Sequence, residues 1–270
     1  MNRTGLAIAI AIGVAAGLPF GLRPQLDLEV SGLFFDPVAK AFINGQTAPG
    51  GLAWPEACRE IAMWIVTALA VPGVVALMLK VIMPSVRLVM PARAVAFLVA
   101  TLVVAPGLLT NVILKEHWGR PRPIDVHEFA GSDQFVAWWD PRGSCPHNCS
   151  FVAGEGSGAF WTLAPAALAP PPVRPLAYAA ALAFGAAVGT LRIAFGGHFF
   201  TDVVFSGVFT FSIIWVVHGL IYRWPKPAIS DLALEAATER LVAPLHGAVA
   251  RPIARLGGLI RRIGSHPRGT

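Results

Sequence analysis

The chain alternates long apolar runs with short polar segments. Uncharged stretches of about 20 residues, the length that crosses a bilayer, occupy residues 61–79 and 94–114, and a third at 203–222 is interrupted only by His218. Residues 4–22, 156–172 and 176–195 have the same character, the last carrying Arg192 near its end. The pattern predicts an all-α integral membrane protein with six transmembrane helices. The first run has a second reading, because "MNRT" followed by "GLAIAIAIGVAAG" also has the basic start, apolar centre and small-residue end of a secretory signal. Cleavage there would leave five spans and the same orientation for the rest.

Composition agrees with the pattern. Of 270 residues 55% are hydrophobic and 13% charged, against about 45–50% and roughly 25% in soluble domains. Charge then sets the orientation, since Lys and Arg are retained on the cytoplasmic side. With both termini inside, the inner segments hold Arg3, Lys80, Arg87, Arg93, Arg174, Arg223, Lys226 and the arginine-rich tail. The loop 115–155 then faces outward, which in a bacterial inner membrane means the periplasm. Most of the net charge of +6 lies in the inner segments and tail, so it calls for no nucleic-acid partner.

The organisation reads as one membrane domain, residues 1–222, followed by a basic cytoplasmic tail, residues 223–270. From 231 to 264 the tail alternates apolar pairs with arginines, as a helix lying on anionic lipid would. Pro244 and Pro252 interrupt it, and disorder is the other reading. Cys145 and Cys149 in "CPHNC" are spaced to bridge in an oxidising compartment. Free thiols, or a metal site with His147, are the alternatives, although zinc takes about four ligands and no further cluster is present.

Charged side chains at membrane depth are costly and mark function. "KEHWGRPRP" places Lys115, Arg120 and Arg122 directly after the third span, residues 94–114, on a backbone stiffened by two prolines. "LRIAFGGHFFTD" ends one span at Arg192 and opens the next with His198 and Asp202, four apart and so on one helix face. A carboxylate on one ring nitrogen would leave the other as a nucleophile. Lys115, Arg122 and Arg192 supply the fixed cations that phosphoryl transfer requires. With no aspartate cluster for magnesium and no glycine-rich nucleotide loop, the site reads as metal-independent, with no cofactor.

Lys-x6-Arg-Pro at Lys115, Arg122 and Pro123, followed by Arg-x5-His-x3-Asp at Arg192, His198 and Asp202, resembles the type 2 phosphatidic acid phosphatase family, whose fold is shared with vanadium haloperoxidases. The resemblance implies a six-span bundle with its site on the outer face, a phosphohistidine at His198, and a phosphate pocket of Lys115, Arg122 and Arg192. It also implies a lipid phosphate ester as substrate. The middle motif departs from the common Pro-Ser-Gly-His form: Val152, Ala153, Gly154 and Glu155 stand there, and Gly154 alone is retained. "NCSFVAGEG" is similar to a branch with Ser-Gly-Glu or Ser-Gly-Asp, associated with lipid A phosphatases, in which an acid replaces the histidine.

Glu155 is thus a candidate proton donor to the leaving oxygen, with ion pairing to Arg122 or Arg192, or a favourable helix-start charge, as the structural readings. Loss of the serine hydroxyl at Ala153 is expected to cost roughly 1.5–3 kcal/mol, with Ser150 or Ser157 as possible substitutes. His147 and His117 are further candidate donors, and Trp118, Trp138 and Trp139 fit an interfacial belt. The expectation is a lipid phosphatase acting on lipid A, with phosphatidylglycerophosphate, phosphatidic acid or undecaprenyl diphosphate as alternative substrates. A weakened lipid-phosphate-binding scaffold is the rival.

Overall fold

The computed structural model describes residues 1–43 and 53–244 of the chain. Helix α1 (Arg3–Leu22) starts at Asn2, whose side chain accepts from the Gly5 N–H at 2.9 Å and so satisfies one of the donors a helix start leaves free. A short α2 (Gln25–Gly32) and a two-residue hairpin, β1 (Phe35–Asp36) with β2 (Ala41–Phe42), lie beyond it. Helix α3 (Ala53–Ile82) returns across the bundle.

Helix α4 (Ala92–Leu102) runs through a widened π-helical stretch, Val103–Leu114, into α5 (Lys115–His117), making one rod. The widening contains Pro106, which has no N–H to offer the Leu102 carbonyl. Then come α6 (Gly154–Trp161), α7 (Leu163–Leu168), α8 (Arg174–Ala194) and α9 (Phe200–His218), the last extended by a π turn to Arg223.

Among the described residues five helices are long and apolar enough to cross a membrane: Arg3–Leu22, Trp54–Ile82, Ala92–His117, Arg174–Ala194 and Phe200–Arg223. The remaining apolar run, residues 156–172, is built differently. Pro165 cannot donate to the Trp161 carbonyl, and the helix breaks at Thr162, whose hydroxyl donates to the Ala159 carbonyl at 2.7 Å. The resulting pair, α6 and α7, is buried within the bundle: Ala159, Trp161, Leu163 and Ala164 are enclosed. Apolar residues all round, which suit a lipid-facing span, equally suit an interior segment.

Helix α9 is central and packs on α1, α4, α6 and α8. Phe97, Trp161, Leu163 and Ile214 form the largest buried cluster, where the Trp161 indole donates to the Thr101 hydroxyl at 3.0 Å. Ile8, Val14 and Leu18 of α1 and Trp64 of α3 remain exposed, as lipid-facing side chains must.

The start of the tail differs from the expected basic surface helix. Residues 231–244 form α10, and its acidic side chains hold it to the α3–α4 connection. Asp231 accepts from the Arg93 amide and guanidinium at 2.9 to 3.2 Å. Glu235 accepts from the Lys80 ammonium and the Leu88 amide, each at 3.0 Å. The later arginines and Pro252 lie outside the described residues.

Candidate active site

The site lies at the end of the bundle opposite α10, where α5, α6, α8 and α9 converge. Arg192 sits in the last turn of α8, and the chain reverses through Gly196, at φ +65°, before α9. Gly197 lies so close under Arg192 that a Cβ there would be 2.5 Å from a guanidinium nitrogen. His198 and Asp202 follow, 2% and 0% exposed.

His198 is held differently from the expected carboxylate pairing. Its Nδ1 lies 2.7 Å from the backbone oxygen of Ser150, and Asp202 Oδ2 is 3.8 Å away. A carbonyl only accepts, so Nδ1 carries the proton and Nε2 the lone pair. Asp202 acts on the ring through its charge, while its oxygens take the Phe199 N–H at 2.8 Å, the Ser150 hydroxyl and the Arg120 guanidinium. Burial drives the His198 pKa down to about 4, and the charges of Arg192 and Arg122 add to that effect while Asp202 opposes it. The imidazole is therefore neutral at neutral pH.

Arg120, grouped by sequence with the surface cations, is instead wholly buried behind Asp202. It donates to Asp27 Oδ2 at 2.8 Å and to the Thr201 hydroxyl at 2.9 Å, and its guanidinium lies 4.3 Å from the Phe199 ring centre. Asp27 in turn accepts from the Thr201 N–H at 3.0 Å, capping α9 from α2.

Lys115 and Gly154 lie against each other: a Cβ on Gly154 would stand 3.3 Å from the Lys115 ammonium and 3.0 Å from Asn111 Oδ1. Gly154 opens α6, and among the described residues the N–H groups of Gly154, Glu155 and Gly156 have no hydrogen-bond partner, as at a helix start that binds an anion. Arg122 is placed by the Asn148 carbonyl, to which Nε and Nη2 donate at 3.2 and 2.8 Å. Its charge and that of Arg192 reach both Lys115 and His198.

Glu155 has a partner that the sequence pattern did not reveal. Arg59, in the second turn of α3, donates through Nε at 2.9 and 3.0 Å and through Nη2 at 2.7 Å. Arg192 Nε is buried and lies 3.7 Å from Glu155 Oε2, beyond hydrogen-bond reach. Burial pushes the Glu155 carboxyl up, but Arg59, Arg192 and His198 outweigh it and hold it below the usual range. The one available signal for Arg59 was a charge at the edge of an apolar run. Asp27 gave no signal, because nothing local distinguishes "LDLEV" from a surface turn.

The proposed substitutes for the missing serine are committed elsewhere. Ser150 bonds Asp202, and Ser157 Oγ lies between Thr110 at 3.1 Å and Thr210 at 2.8 Å in the core. The Ala153 methyl packs with Ile193 and Val203. His147 pairs with Glu116 at 3.4 Å on the surface, and His117 is also exposed.

Cys145 and Cys149 are joined in a disulfide, Cα atoms 5.7 Å apart, immediately before Ser150. Trp118, Trp138 and Trp139 do more than form a belt. The Trp138 and Trp139 indoles donate to the Gly17 and Gly21 carbonyls of α1 at 3.1 and 3.3 Å, and Trp118 donates to the Trp138 carbonyl at 2.8 Å, tying the loop to the bundle.

A helical membrane bundle with a neutral, enclosed histidine beside fixed cations and an open helix start is a device for handling phosphate, and the chain belongs to the PAP2 superfamily, whose profile matches residues 93–226. It is a phosphoric monoester hydrolase of the lipid A phosphatase-like branch. It is 34% identical over 225 residues, 83% of this chain and 98% of the relative, to a lipid A 4'-phosphatase of Francisella tularensis subsp. novicida (strain U112). A lipid A 4'-phosphatase of Rhizobium leguminosarum is 39% identical over 113 residues, 42% of this chain and 48% of that protein. One from Rhizobium etli is 38% identical over 112 residues, covering 42% and 44%. No solved structure matches the chain.

Proposed function

We propose that this enzyme removes a phosphate monoester from lipid A at the periplasmic face of the bacterial inner membrane, through a phosphohistidine at His198. The observation that carries the mechanism is the bond from His198 Nδ1 to the Ser150 carbonyl, which leaves the Nε2 lone pair to attack. In the first step Nε2 bonds to phosphorus as the bond to the lipid oxygen breaks. Lys115, Arg122, Arg192 and the α6 amides meet the phosphate oxygens, and Asp202 offsets the positive charge that develops on the ring.

Glu155 supplies the proton to the departing oxygen. In the resting site it is ionised on Arg59. A phosphate bound among the same cations offsets their field and raises the Glu155 pKa, and a monoester monoanion brings a proton of its own, since its second pKa is about 6. After the dephosphorylated lipid leaves, Glu155 as carboxylate takes a proton from the water that attacks the phosphohistidine. Phosphate leaves and His198 is restored.

Lipid A is favoured by the similarity to a lipid A 4'-phosphatase along nearly its whole length and by the acid in the middle motif. The orientation follows from Lys80, Arg87, Arg93, Arg174 and Arg223 at the end away from the site.

Phosphate release from lipid A, phosphatidylglycerophosphate, phosphatidic acid and undecaprenyl diphosphate, with and without chelator, tests the reading. Release fastest from lipid A, insensitive to chelator and abolished in His198→Ala, is the expected result. Faster release from another of these lipids overturns the substrate, chelator inhibition overturns the cation-only site, and an active His198→Ala overturns the nucleophile.

A further inference from the structure

A groove of about 950 Å³ runs between α1, α8 and α9, on the flank of the bundle. That is the upper end of the roughly 300–1,000 Å³ typical of ligand pockets. Its α8 wall extends from Arg174 to Ile193, and at 1.5 Å per residue this is roughly 28 Å, close to the ~30 Å hydrocarbon core of a bilayer. The walls are apolar, and Ile8, Ile12 and Leu182 along them are exposed sideways, where a bilayer would lie. At its upper end the groove meets Ile193, Phe200 and Val203, beneath the segments that carry Arg192 and Asp202.

The mouth at the other end is cationic. Arg174 lines it and uses Nε on the Ala169 carbonyl at 2.9 Å, leaving its terminal nitrogens without a partner among the described residues. Tyr178, one turn along α8, lines the same mouth with a buried hydroxyl that has no partner among the described residues. Asn2 lines it too, and its carbonyl accepts from the Trp215 indole at 2.9 Å. Arg223 lies behind that wall on the Trp215 indole, 4.2 Å from the ring centre, with Nη2 donating to the Trp215 carbonyl at 2.9 Å and a buried Nε that has no partner among the described residues. Among the described residues no carboxylate forms an ion pair with either arginine.

An apolar channel of membrane length, with the Arg174 guanidinium and the Tyr178 phenol at one mouth and the Arg223 guanidinium behind them, matches one kind of occupant. We propose that the groove binds an anionic glycerophospholipid from the leaflet facing away from the active site. Its acyl chain lies along α8, and its phosphate is held by Arg174 and Tyr178 with Arg223 beside them. Guanidinium groups take phosphate oxygens bidentately. The phosphate alone does not distinguish lipids; an added ammonium on the headgroup would be repelled by the two arginines. The site is separate from the phosphatase pocket and concerns binding alone.

Native mass spectrometry of the detergent-solubilised full chain, titrated with phosphatidylglycerol or phosphatidylcholine, tests it. Phosphatidylglycerol is expected to bind about tenfold more tightly, the scale of one charged hydrogen bond. That preference is lost in Arg174→Gln and weakened in Arg223→Gln. Tyr178→Phe, which keeps the groove's shape, loses part of it, and Arg3→Gln, an exposed cation at the same end, keeps all of it. Equal binding of the two lipids by the wild type, an unchanged preference in Arg174→Gln, or a dimer without lipid adducts overturns the proposal.

Discussion

Asp27 and Arg120 are 93 residues apart in sequence and 2.8 Å apart in space, both enclosed behind the candidate catalytic histidine. Burial raises the Asp27 pKa, and Arg120 opposes that shift while the nearby Asp202 adds to it. One guanidinium between two carboxylates fixes the short α2 to the start of α9, and with it the position of Asp202.

Removing one member of such a buried network leaves an unpaired charge, at about 3–5 kcal/mol. Asp27→Asn is expected to lower the midpoint of thermal unfolding in detergent and to reduce kcat more than it raises KM. The double variant Asp27→Asn/Arg120→Met should lose less than the sum of the singles. Additive losses would show that the two residues act independently.

Glu155 and Arg59 separate catalysis from simple ion pairing. If Glu155 gives the proton, Glu155→Gln slows lipid phosphate hydrolysis by about 10²–10⁴. An ester with a good leaving group, such as p-nitrophenyl phosphate, needs no such proton in the first step, so the p-nitrophenol released in the first turnover should appear at nearly the wild-type rate. The later hydrolysis of the phosphohistidine, which also uses Glu155, is slowed for both substrates. Equal losses on both substrates in that first turnover would assign Glu155 a structural role. Arg59→Gln removes the guanidinium that holds Glu155 down, so the basic limb of the lipid pH profile, where the acid loses its proton, should move to higher pH.

His198 fixes the other limb. Its pKa is lowered from 6.5 to about 4 by burial, so in the free enzyme the proposed nucleophile stays neutral down to that region and is lost as pH falls through it. The acidic limb of kcat/KM should lie well below 6.5. A limb near 6.5 would mean that the ring is solvated in the free enzyme.

Gly154 tests the contact with Lys115. A methyl at this position would meet the ammonium at 3.3 Å and Asn111 Oδ1 at 3.0 Å, and a displacement on the order of 1 Å in a catalytic site costs up to about 10²-fold. Gly154→Ala is expected to fold, as judged by an unchanged unfolding midpoint, with kcat/KM reduced about tenfold or more. Unchanged kinetics would mean that Lys115 does not need that space.

The apolar runs, the basic bias of one end and the two spaced motifs were legible in the sequence because they depend on local composition and on fixed spacing along a helix. Lys115, Gly154, Glu155, Arg192 and His198 could be picked out for that reason. Tertiary structure decided what these residues touch. The apolar run at 156–172 became an interior pair of helices because Pro165 breaks it, a distinction that hydropathy does not contain. The partner of His198 Nδ1 became a backbone carbonyl 48 residues away, Glu155 found Arg59 96 residues back, and Arg120 turned inward to Asp27. Such pairings come from helices meeting in the bundle, where a buried charge must find a partner and the packing, not the spacing along the chain, determines which partner is within reach.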